Sequence, residues 1–191
     1  MDIVGAIRSA PLVDLGVFFG LCAFFFMGVM QGAIRRILGI FSILFAFLVA
    51  ANVRDSLGDF LAQNWTQFDL GYNRLIAFGV VFVVGSVALS ILIQGFYKRT
   101  DISAEHPIVD DIVGGLLGLL QGFLLLTLAV VIFNSYTLPV PQSGDVTQLR
   151  QAQDLLIHQS HIAGAIKDIV VPPFVHILSA LLPSDLVSIF P

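Results

Sequence analysis

Four long stretches of the chain contain no charged residue. They cover residues 15–34, 37–53, 75–97 and 112–144. A helix that crosses the hydrocarbon core of a bilayer needs about 20 predominantly apolar residues, with a range of about 17–25. The pattern therefore predicts an all-α membrane protein with four transmembrane helices, near residues 13–30, 37–53, 75–95 and 112–133. The second stretch is the shortest, so a re-entrant hairpin formed by the first two segments is the alternative interpretation.

Shorter segments between and after these spans predict short interfacial helices. Five residues recur at helical spacing after the second span and favour a helix in the headgroup region: Val53, Leu57, Phe60, Leu61 and Trp65. Residues 148–160 are polar and predict a short helix outside the bilayer. The C-terminal apolar segment contains Pro172 and Pro173, so its uninterrupted part is too short to span and is predicted to lie at the interface. The chain thus divides into a transmembrane region, 1–134, and an extramembrane and interfacial tail, 135–191.

The composition places the chain in lipid rather than in water. Of its 191 residues, 57% are hydrophobic and 12% are charged, whereas soluble domains carry about 25% charged residues. The net charge of −4 is too small to indicate nucleic-acid binding. The sequence contains no G-x-S-x-G, H-E-x-x-H or phosphate-loop motif. We therefore expect a membrane protein without catalytic activity, cofactor or metal.

Basic residues beside the spans predict the orientation. Arg35 and Arg36 lie between the first two spans, and Lys98 and Arg99 follow the third. Because compact basic groups close to a span favour the cytoplasmic side, both turns are predicted to be cytoplasmic and both termini periplasmic. Arg35 and Arg36 also offer a contact for a partner protein or for anionic lipid headgroups.

Glycines at a spacing of four residues form stripes on two spans. The fourth span carries Gly114, Gly118 and Gly122. The first span carries two such pairs: Gly16 and Gly20, and Gly28 and Gly32. Lipid tails are as apolar as leucine, so helices in a bilayer associate through close van der Waals approach, which small residues permit. The stripes predict tight helix packing, either within one chain or between chains of a homo-oligomer.

Two acids stand near the ends of spans. Asp14 lies at the start of the first span, and Asp110 lies four residues before Gly114. A carboxylate in such a position can cap free backbone N–H groups and meet the positive end of the helix dipole. A proton or ion path is the alternative role for ionisable residues near a span.

Together these residues resemble the pattern of the colicin V production protein (CvpA) family of bacterial inner-membrane proteins. The resemblance rests on two acids, a glycine turn and the later glycine run: Asp14, Gly32, Arg35, Asp110, Gly114, Gly118 and Gly122. It covers about residues 13–133. Family members often have an arginine, an acid and an arginine where this chain has Gln31, Arg36 and Gln121. They often have a basic residue where this chain has Asp111.

The resemblance implies a membrane-embedded accessory or scaffold protein. Such a protein would assist the production or export of the peptide toxin colicin V, or maintain the envelope, together with an unidentified membrane or envelope protein. Two other functions remain open from the sequence. One is a small oligomeric channel or transporter, with Gln31 and Gln121 lining a path, and the other is a module that organises lipids through its interfacial helices.

Overall fold

The computed structural model describes residues 12–66, 68, 70–96, 107–135 and 160–183. Within these residues every regular element is helical. The four long helices are α1 (Leu12–Gln31), α2 (Ala33–Asn64), α3 (Leu70–Phe96) and α4 (Pro107–Ser135). Three short elements follow each other without a break: α5 (His161–Ala165), a π-helical turn (Ile166–Val170) and α6 (Val171–Leu178). The predicted all-α class is confirmed. The predicted polar helix at 148–160 lies almost entirely outside the described residues, and the basic pair Lys98 and Arg99 lies outside them.

Five helical segments in the described part of the chain are long and apolar enough to cross a membrane. Four coincide with the predicted spans to within several residues in the apolar part, with mean hydropathies between 2.1 and 2.7. The fifth, His161–Leu178, has a mean hydropathy of 1.3. The sequence predicts that this segment is broken by Pro172 and Pro173, but both prolines lie in the first turn of α6, directly after the π-helical turn. Because a first turn tolerates a residue without an N–H group, the helical segment continues through them.

The second helix is longer than predicted. Residues 53–64, which the sequence predicts to form a separate interfacial helix, are the last turns of α2, which has 32 residues. At 1.5 Å per residue α2 is about 48 Å long, so it exceeds the hydrocarbon core of about 30 Å. Its charged end packs against the start of α3, where Arg74 Nη2 lies 3.0 Å from Asp59 Oδ1. Arg74 Nε also lies 3.4 Å from Asp55 Oδ1, so ion pairs support the part of α2 that extends past the apolar span.

The long helices form two closely packed pairs. α1 packs mainly against α4, α2 packs mainly against α3, and contacts between α2 and α4 join the pairs. α1 and α2 make few contacts with each other, although one residue separates them. Each of them is long and apolar enough to cross a membrane.

The core lies where these pairs meet the C-terminal segment. Phe47 is fully buried, and its ring lies 5.8 Å from that of Phe78 and 6.4 Å from that of Phe174, measured between centroids. Leu128 and Val171 are also fully buried. Many large apolar side chains instead lie on the outer face of the bundle, among them Phe19, Val84 and Leu116. An apolar exterior of this kind suits a helical bundle surrounded by lipid.

Candidate functional site

A single glycine forms the junction between α1 and α2. Gly32 has a φ of +78°, in the region that residues with a side chain rarely adopt. Its N–H donates to the carbonyl of Gly28 at 3.0 Å, so the last turn of α1 closes before the chain reverses into α2. A side chain at position 32 would also collide with the carboxylate of Asp110. Backbone conformation and packing therefore both require glycine here.

Asp110 caps the N-terminus of α2. Its Oδ1 accepts a hydrogen bond from the backbone N–H of Ala33 at 2.9 Å, across 77 positions of sequence. Asp110 also lies in the first turn of α4. The N-termini of both helices thus meet at one carboxylate, which is favourable because both helix dipoles have their positive ends there. The sequence identifies the acid as a cap, but the N–H group that it binds belongs to another helix.

The glycine stripes bring the backbones of α1 and α4 into contact. A methyl group at Gly114 would lie 2.9 Å from the carbonyl carbon of Gly32, and one at Gly118 would lie 3.0 Å from the Cα of Gly28. One at Gly122 would lie 3.0 Å from the ring of Phe24. These contacts are all within one chain. An additional role of the stripe in a homo-oligomer stays a prediction.

The first glycine pair of α1 does not take part in this packing. No atom of the described residues lies within 4 Å of the position that a side-chain carbon would occupy at Gly16 or Gly20. Within the described part of one chain this pair therefore does not repeat the packing device, and packing between chains stays a prediction. The spacing is the same as in the second pair, but none of the described helices lies against it.

Asp14 caps a helix in the C-terminal segment. Its carboxylate accepts hydrogen bonds from the hydroxyl of Ser160 and from the N–H groups of His161 (3.2 Å) and Ile162 (3.4 Å). Ser160 is the N-cap of α5, and its hydroxyl oxygen accepts from the N–H of Ala163 at 3.0 Å. Asp14 is buried, with 9% of its surface exposed. Ser160 is not among the residues predicted from the sequence, although a serine directly before an apolar segment is a recognisable N-cap signal.

The basic turn is directed partly into the protein. Arg36 is 5% exposed, and its Nη1–H donates to Gln121 Oε1 at 2.7 Å. The Nε and Nη2 atoms of the same guanidinium are buried without a hydrogen-bond partner. Arg35 is half-buried. A contact with another protein through this turn, which stays a prediction, would therefore fall to Arg35 rather than to Arg36.

A cavity of about 80 Å³ lies beside Arg36. It is bordered by residues of all four long helices and has mostly polar walls: Gln31, Arg35, Arg36, Ser42, Ser90 and Gln121. Gly39 and Ile93 complete the lining. Gln31 and Gln121, which the sequence suggests as the walls of a transport path, thus border the same space. The cavity, the Gly32 junction and the Asp110 cap all adjoin the start of α2.

We expect Asp110→Ala to destabilise the junction. Loss of a helix cap costs about 0.5–2 kcal/mol, and the upper part of this range applies because the freed N–H of Ala33 is partly buried. Thermal unfolding of the purified protein in detergent would measure the loss. Asp110→Asn is the matched control, because its side-chain oxygen still accepts a hydrogen bond. Equal stability of the alanine variant and the wild type would contradict the cap.

Residues 13–171 match the family model described as colicin V production protein. The match extends beyond the resemblance over 13–133 and includes the π-helical turn and α5, whose first N–H groups bind Asp14. No curated protein and no solved structure matches the chain.

Proposed function

Since the chain belongs to the colicin V production protein family, we propose that this multi-pass membrane protein is an accessory or scaffold for the production or export of the peptide toxin. In this proposal it resides in the bacterial inner membrane with both termini in the periplasm, contributes to envelope homeostasis and catalyses no reaction. It acts by holding a membrane or envelope protein partner, and Arg35 at the cytoplasmic turn is a contact residue.

The hydrogen bonds that two acids accept are the observation that carries the proposal. Asp14 and Asp110 each accept hydrogen bonds from the backbone of a helix other than their own. The N–H groups at a helix N-terminus stabilise the charged form of the carboxylate that binds them. The carboxylate in turn fixes the position of that helix. Transport of protons or ions instead uses acids that gain and lose their charge in the path. Their positions therefore favour a rigid scaffold over a channel or transporter.

The backbone contact between α1 and α4 supports the same proposal. Gly28 and Gly118 leave no room between the two helices for a side chain, and close packing of this kind limits relative motion. A scaffold benefits from a fixed shape, because a preorganised surface loses less entropy when a partner binds.

Affinity purification of the tagged protein from its native membrane tests the proposal. We expect a stoichiometric partner to co-purify with the wild type, and to be lost or reduced with Arg35→Ala and with Gly118→Leu. Gly16→Leu is the control for Gly118→Leu, because the space beside Gly16 is open. Gly16→Leu should retain the partner.

A different result would favour the channel. If the wild type purified as an oligomer of this chain alone, the scaffold proposal would fail. Ion flux through proteoliposomes that contain the purified chain would then be the decisive measurement.

A further inference from the structure

An unbalanced positive charge lies inside the helix bundle. A guanidinium has five N–H donors and no acceptor, and in Arg36 one nitrogen binds Gln121 while Nε and Nη2 have no partner. Within the described residues no carboxylate forms an ion pair with Arg36. A buried charge without a counter-charge is strongly destabilising. An anion bound beside Arg36 would supply the counter-charge and the hydrogen-bond acceptors that the described residues do not.

The cavity beside Arg36 has room for such an anion. Its volume of about 80 Å³ is several times the 10–15 Å³ or so that a single water needs. Gly39 contributes no side chain to it, and the amide of Gln121 lies at its wall. The arginine next in sequence, Arg35, also lines the cavity. Two guanidinium groups and neighbouring amides are typical of a site for an oxyanion.

The position of the cavity indicates which oxyanion fits. Arg36 is in the first turn of α2, directly after the Gly32 junction where α1 ends. The ends of membrane-spanning helices lie near the polar headgroup regions that flank the hydrocarbon core. Basic pockets between such helices bind the phosphate of anionic headgroups. A phosphate group also matches the forked donors of arginine.

We propose that the cavity between Arg35, Arg36 and Gln121 binds a phosphate group, supplied by an anionic lipid headgroup or by free phosphate. Arg36 supplies the buried positive charge, and Gln121 orients its guanidinium through the 2.7 Å hydrogen bond. The site goes beyond the proposed scaffold function and does not depend on the identity of the protein partner.

Thermal unfolding of the purified full-length protein in neutral detergent tests the site. One series adds inorganic phosphate, with chloride at the same ionic strength as its reference. The other adds phosphatidylglycerol, with phosphatidylcholine as its reference. We expect the unfolding temperature of the wild type to rise with phosphatidylglycerol. A rise with inorganic phosphate as well would show that the cavity is open to the free ion, and no rise with phosphate would assign the site to the lipid.

Variants separate this site from a general attraction of charges. Arg36→Gln should weaken the binding of the phosphate group, read from the shift in unfolding temperature, about tenfold or more, because hydrogen bonds to a charged group are lost. Arg36→Lys should retain part of this binding. Lys167→Gln removes one positive charge from the C-terminal segment, which is held by the start of α1, and should respond like the wild type. Ser90→Leu is an independent variant that fills the cavity from α3 and leaves Arg36 in place, and it too should lose the response.

Two results would overturn the proposal. One is a wild type whose unfolding temperature changes with neither phosphatidylglycerol nor inorganic phosphate. The other is an equal response of Arg36→Gln, Ser90→Leu and the wild type. The wild-type titration is decisive even if Arg36→Gln does not fold.

Discussion

Gly118→Leu is expected to separate α1 from α4 and to destabilise the protein by about 3 kcal/mol. A side-chain carbon at position 118 would collide with the carbonyl oxygen of Phe24 and lie 3.0 Å from the Cα of Gly28. Both obstacles are backbone atoms, so a change of side-chain rotamer cannot relieve the collision. The helices must move apart and lose the contacts on either side. Thermal or denaturant-induced unfolding in detergent micelles would measure the loss.

Two variants calibrate this result. Gly16→Leu places the same side chain on α1 where no atom of the described residues lies within 4 Å, so its stability should stay within about 0.5 kcal/mol of the wild type. Gly118→Ala should fall between the wild type and Gly118→Leu, because a single methyl group already meets backbone. Equal stability of Gly16→Leu and Gly118→Leu would show that the stripe does not determine the packing.

Asp14→Ala is expected to release the start of the C-terminal helical segment. The carboxylate accepts hydrogen bonds from the Ser160 hydroxyl and from two backbone N–H groups, and hydrogen bonds to a charged group contribute about 1.5–3 kcal/mol. Opening of α5 should then become more frequent by a factor of about 30 if 2 kcal/mol is lost. Hydrogen exchange of the amides of His161 and Ile162 would measure this change.

Two further acid variants test whether the increase in hydrogen exchange is specific to the loss of the Asp14 carboxylate. Asp14→Asn keeps one side-chain acceptor and should show a smaller increase in exchange. Asp168→Ala removes an exposed acid from the same segment and should leave the exchange of His161 unchanged. If Asp14→Ala exchanged at the wild-type rate, the carboxylate would not be the cap of α5.

The spans could be predicted because their signal is local. A run without charge identifies an apolar helix wherever its neighbours lie, so α1, α3 and α4 follow from the sequence to within several residues. The extension of α2 could not be predicted in the same way. Its charged end is stabilised by Arg74 of α3, and a contact between helices leaves no periodic trace in either of them.

The contacts of the candidate site could not be predicted from the sequence for the same reason. The sequence identifies Asp14 and Asp110 as caps, because an acid at the start of a helix has a local reason to be there. Their partners lie 147 and 77 positions away, and only the fold brings them together. Gly16 and Gly28 likewise belong to identical spacings, yet of these two only Gly28 has a helix of the described part of the chain against it.

Two departures from the family pattern also become related in the structure. The resemblance places an acid at position 36 and an arginine at position 121, where this chain has Arg36 and Gln121. These two side chains form one hydrogen bond. In the pattern that the chain resembles, an acid at 36 and an arginine at 121 would form an ion pair at this contact, whereas here a cation meets a neutral amide. The two departures are therefore changes to a single interaction.

The pairing of the helices sets an order of events during synthesis. A membrane protein leaves the ribosome from its N-terminus, so α2 and α3 can associate as soon as both have emerged. α1 emerges first, but its packing partner α4 comes last among the long helices. Until α4 is inserted, the glycine face of α1 contacts lipid, and the N–H of Ala33 lacks its hydrogen bond to Asp110. We therefore expect a nascent chain to stay sensitive to membrane quality-control proteases until its fourth helix is inserted. The arrival of Asp110 marks completion of the contact between α1 and α4, before the C-terminal segment joins the core.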